Sequence, residues 1–138
     1  MVQRGFSGGL LVFLCSLWLW ACAGPETRAQ NEFQTDMQKA HTAMVDVQSL
    51  VNSNKFAKVR YTERINRMVP ITQQSLKKYQ GTEKESDPTY QSLKKAFEHY
   101  VMADHLWKQD KGLVIVNKRL ADAEQELERA AQSMKEPE

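Results

Sequence analysis

Histidine and methionine recur at helical spacing in two stretches of this 138-residue sequence. Met37, His41 and Met44 stand at i, i+4 and i+7, so one helix face would carry all three. His99 and Met102 repeat a His-x-x-Met spacing, and His105 follows one further turn on. Thioether sulfur and imidazole together suit Cu(I), and a His/Met pair can hold haem iron between helices. His41, Met44, His99 and Met102 are therefore the candidate ligands for copper or haem, although no CxxCH offers covalent haem attachment. A plainer reading competes: Met37 and Met44 lie on an apolar stripe, where methionine is ordinary core filler. No glycine-rich phosphate loop, HExxH, CxxC or nucleophile elbow occurs, so the expectation is a non-enzymatic protein.

Charge supplies a second set of candidates. Lys55, Lys58, Arg60, Arg64, Arg67, Lys77 and Lys78 crowd one segment that holds Glu63 alone against them. Arg60, Arg64 and Arg67 share a helix face, where like charges repel modestly unless something anionic meets them. Residues 31–51 are net acidic, as is the run Asp122, Glu124, Glu126 and Glu128. Two readings follow: the basic and acidic helices pair within one fold or their faces are merely solvated, or Arg60, Arg64 and Arg67 face an anionic partner, whether lipid headgroups near the anchor, a cell-wall polymer or an acidic protein.

The first residues address the chain. Arg4 precedes an apolar run from Leu10 to Trp20 that only Ser16 interrupts, and small residues follow from Ala21 to Gly24. These are the parts of a secretory signal, and the run is too short to span a bilayer comfortably. Leu19-Trp20-Ala21-Cys22 resembles the lipobox of bacterial lipoprotein precursors. That resemblance covers the signal alone. It implies cleavage before Cys22, acylation of Cys22 with a diacylglycerol and an N-linked acyl group such as palmitate, and stable anchoring, because several acyl chains hold where one does not. Ala23 in place of Asp implies the outer membrane, facing the periplasm, in a bacterium with two membranes. Ala21-Cys22-Ala23 also fits an ordinary signal peptidase, which would release a secreted or periplasmic soluble protein. Cys15 lies inside the signal, so the mature chain would have no internal disulfide.

Helices must position these residues. After residue 30 only Gly81, Gly112, Pro70, Pro88 and Pro137 interrupt a chain rich in Lys, Glu, Gln and Ala. Phe33, Met37, Ala40, Met44, Val47 and Val51 step by four and three, as do Leu113, Val116, Leu120, Ala123, Leu127, Ala130 and Met134. Tyr90, Leu93, Phe97, Tyr100 and Trp107 form a third stripe, interrupted by Asp104. A fourth, less regular set is Val59, Ile65, Met68, Val69, Leu76 and Tyr79. Asn31 with Gln34 offers a capping-box start, Asp87-Pro88 a cap followed by a first-turn proline, and Pro70 a kink. Residues 81–87 form a loop, Asp110-Lys111-Gly112 a turn, and Asn52-Ser53-Asn54 a softer break.

The pattern predicts an all-α domain over 31–136, behind a signal at 1–21 and an anchor and tether at 22–30. Its helices, about 31–51, 55–79, 88–109 and 113–135, make an up-down-up-down four-helix bundle. A long antiparallel helical hairpin that dimerises is the alternative. The expected role is a binding or scaffold module for another envelope component, foremost a protein. A copper or haem carrier is the second reading. Nucleic acid is not an expected partner of an exported chain whose net charge is only +2.

Overall fold

The computed structural model of the protein describes residues 24–53 and 55–136. Four helices make it up: α1 (Pro25–Val51), α2 (Lys58–Lys77), α3 (Pro88–Lys108) and α4 (Leu113–Lys135), with a short 3-10 turn at Glu83–Ser86. The signal and Cys22 lie outside the described residues. The chain divides after Glu32, and the bundle is the unit that begins at Phe33.

α1 begins at Pro25, not at Asn31, so the capping box at Asn31 and Gln34 does not form and the expected tether at 24–30 is largely helical. Proline at the first helical position loses nothing by lacking an N–H, and Glu26 in the first turn complements the helix dipole. From Gly24 to Gln30 nothing after Pro25 breaks a helix.

One stripe of α1, through Phe33, Met37, Ala40, Met44, Val47 and Leu50, is buried. It packs against Tyr61, Ile65, Met68 and Leu76 of α2, Tyr90, Leu93, Ala96, Tyr100 and Ala103 of α3, and Val116, Leu120, Ala123, Leu127 and Ala130 of α4. α3 and α4 make the most extensive close packing. Ala96 and Ala103 on one, with Ala123 and Ala130 on the other, are fully buried and spaced seven apart, so small side chains let the two backbones approach.

The ends have chemical reasons. Asp87 caps α3, its Oδ1 accepting from the Thr89 and Tyr90 N–H groups at 2.8 and 3.4 Å, with Pro88 at the first position. Asp110, not glycine, takes the left-handed conformation that ends α3 (φ 52), and the Lys111 N–H reaches back to the Leu106 carbonyl. Gly112, at φ 92, then turns the chain into α4. α2 continues through Pro70 to Lys77. Since α1 ends at Val51, α2 begins at Lys58 and the two are joined by ion pairs within one chain, the four-helix bundle forms rather than the long hairpin.

Two expected core positions are not in the core. Val59 is 70% exposed and Leu113 57%. Each lies in the first turn of its helix. Tyr61, absent from the expected α2 set, is fully buried instead.

Candidate functional site

The basic segment becomes one wall of a surface groove. Ser49 and Leu50 at the end of α1, with Ser53 just beyond it, join Lys55, Arg60, Glu63, Arg64 and Arg67 in lining an open volume of about 440 Å³. Four cationic side chains and one carboxylate line it. The three arginines fall together because i, i+4 and i+7 positions share a face and the other face of α2 is taken by Tyr61, Ile65 and Met68. Arg64 pairs with Asp46 of α1. Arg60 and Arg67 are exposed.

Part of the charge asymmetry is spent inside the fold. Beyond Arg64 and Asp46, Lys78 at the C-cap of α2 meets Asp36 of α1 at 3.0 Å, and the Tyr79 hydroxyl donates to the same carboxylate at 2.8 Å. Burial pushes the Asp36 carboxyl upward, but donors from Lys78, Tyr79 and Lys39 outweigh it and hold the group below its ordinary range. The acids of α4 do not face α2 in this way: Glu124 accepts from Asn52, and Glu126 pairs with Arg129.

A polar chain, buried at its centre, crosses the bundle from the last turn of α1 and the first turn of α2. The Tyr61 hydroxyl donates to the Tyr100 carbonyl at 2.8 Å, and the Tyr100 hydroxyl donates to Gln48 Oε1 at 2.6 Å. Gln48 Nε2 then reaches Asn52 Oδ1, and Asn52 reaches Glu124. All four helices contribute. Burial, aided by Asp104 near Tyr61 and Glu124 near Tyr100, raises both phenols far above their ordinary range, so each remains a donor. Beside it, buried Asp104 accepts from Thr62 at 2.7 Å and pairs with Lys108. Sequence reasoning missed this chain; its one signal was Gln48, a polar residue set between the core positions Val47 and Leu50.

The His/Met candidates are spread over different environments. Met37 and Met44 are closed into the core, whereas Met102 on α3 is exposed. His41 is half-buried, and burial lowers its basicity. His99 Nδ1 lies 3.4 Å from the Arg119 guanidinium, a cation beside the position a metal would take. His105 is exposed against Gln109. Among the described residues no three His, Cys, Asp or Glu side chains gather at metal-binding distance.

The groove is thus the place where sequence-expected site residues come together: Arg60, Arg64 and Arg67, joined by Lys55. Among the described residues no helix is long and apolar enough to cross a membrane. The chain matches no family model, no curated protein and no solved structure.

Proposed function

We propose that the protein is a bacterial envelope lipoprotein, anchored through acylated Cys22 in the outer membrane and facing the periplasm, whose helical bundle is a non-enzymatic binding module. Its partner is another envelope protein that presents acidic side chains to the α1–α2 groove. One observation carries this reading: Lys55, Arg60 and Arg67 converge, beside the Asp46-paired Arg64, on an open groove whose described lining includes one carboxylate, Glu63. Such a surface speeds and orients encounter with an acidic partner more than it adds raw affinity.

The test is crosslinking and capture from native membranes at increasing salt. Capture of an acidic protein should fall as salt screens the groove, and an Arg60→Ala/Arg67→Ala chain should lose it, since both side chains are exposed. Equal capture by that chain and the wild type would reject the groove. Mass spectrometry of the peptide containing Cys22 tests the anchor separately, with an unmodified cysteine or an N-terminus at Gly24 as the contrary result.

A further inference from the structure

Three consecutive aliphatic side chains stand in water at the start of α4. Leu113 is 57% exposed, Val114 84% and Ile115 49%. Successive residues turn by about 100° around a helix, so the three fan out as a knob rather than lie along one face. The buried stripe of α4 begins only at Val116. Val59, also exposed, stands at the same end of the bundle, next to the Lys58 ammonium that holds Asp110 of the α3–α4 turn at 2.9 Å.

The charge around the knob is cationic. Lys111 and Lys118 are exposed on either side of it. Lys118 lies one turn beyond Val114 on the same face, and helical side chains lean toward the N-terminus, so its ammonium reaches back toward the knob. The nearby acid, Asp110, is answered by Lys58. α2 and α4 both start at this end without a side-chain N-cap, so the N–H groups of their first turns add positive potential.

Few aliphatic side chains are involved, far short of the roughly 800 Å² per partner that a stable protein interface buries. A fluid acyl phase accepts a rounded knob without a matching contour, and anionic headgroups answer its cationic rim. We infer that the α3–α4 turn docks on an anionic phospholipid surface. Leu113, Val114 and Ile115 enter the boundary between headgroups and acyl chains, and Lys111 and Lys118 stay at the phosphates. The contact is distinct from the arginine groove.

Vesicle co-sedimentation tests it without the lipid anchor. The chain from Gly24 to Glu138 keeps every core side chain, since all lie between Phe33 and Met134. It should sediment with vesicles of phosphatidylethanolamine and phosphatidylglycerol but not of phosphatidylcholine alone. A Leu113→Ser/Val114→Ser/Ile115→Ser chain, helical by circular dichroism, should bind at least about tenfold more weakly, given the transfer free energy of three aliphatic side chains. Lys111→Glu/Lys118→Glu should abolish the preference for phosphatidylglycerol, whereas Arg60→Ala/Arg67→Ala should sediment like wild type. Absence of wild-type binding, or full binding by the triple-serine chain, would overturn the inference and leave the knob as a protein contact. A loss confined to the arginine variant would overturn it too, by moving the contact to the groove.

Discussion

Tyr100 is fully buried, and its hydroxyl donates to Gln48 within the core. Removing that hydroxyl in Tyr100→Phe leaves Gln48 Oε1 buried without its donor, and a stranded buried acceptor costs about 1–3 kcal/mol. Tyr61→Phe should cost less, because the Tyr100 carbonyl it addresses lies within a helix and keeps the ladder bond from Asp104. Urea unfolding of the two variants measures the difference, and the reverse order would show that the polar chain is not organised as described. Asp36 adds a pH dependence of definite sign. Its carboxyl is held below its ordinary range, so its stabilisation is complete above about pH 4 and disappears as pH falls through the lower folded value. Asp36→Asn should therefore be less stable than wild type at pH 7 and approach it in acid. His41 acts in a higher window: burial disfavours its charged form, so stability should decline as pH drops below about 6.5, and His41→Leu should flatten that decline.

Helices α3 and α4 show how elements are placed by what they lack. Ala96, Ala103, Ala123 and Ala130 are fully buried on two helices that pack closely together. Ala123→Leu should accordingly destabilise the bundle by about 1–3 kcal/mol through overpacking, although leucine suits a helix as such. The start of α3 depends on one carboxylate. Asp87→Ala removes the acceptor for two first-turn N–H groups and should cost about 1 kcal/mol, visible as a lower thermal midpoint. α2 and α4 would not respond in this way, because no side chain caps them.

The whole molecule should unfold as one unit, since the core is shared among four helices and a polar chain runs through all of them. Trp107 packs against Phe56 and Tyr61, so its fluorescence reports the junction of α2, α3 and the α1–α2 connection. In the chain from Gly24 its transition should coincide with that of far-ultraviolet circular dichroism; separated midpoints would reveal an independently melting helix. At this scale much was legible beforehand. The stepping of Phe33, Met37, Ala40, Met44 and Val47 declared a helix and its buried face, and Asp87-Pro88 marked a helix start. What escaped was whatever depends on neighbours across space. Periodicity places Leu113 on a stripe but does not reveal that, at the first position of α4, it stays exposed, and it ranks Gln48 as an irregularity rather than as the partner of Tyr100. Arg60, Arg64 and Arg67 were visible as a face. That α1 supplies the other wall of their groove, with Asp46 taking Arg64, was not.

The hydrogen bonds through Gln48 and Tyr100 also bear on what kind of machine this can be. Sliding one helix past another by a turn, about 5.4 Å, would break the buried bonds from Tyr61 to the Tyr100 carbonyl and from Tyr100 to Gln48 together. A bundle pinned in this way resists the piston and ratchet movements by which other helical proteins relay a signal along their length. From Phe33 to Val51 it behaves as a strut roughly 28 Å long, at 1.5 Å per residue. A part of this kind would hold whatever bound to its two ends at a fixed separation.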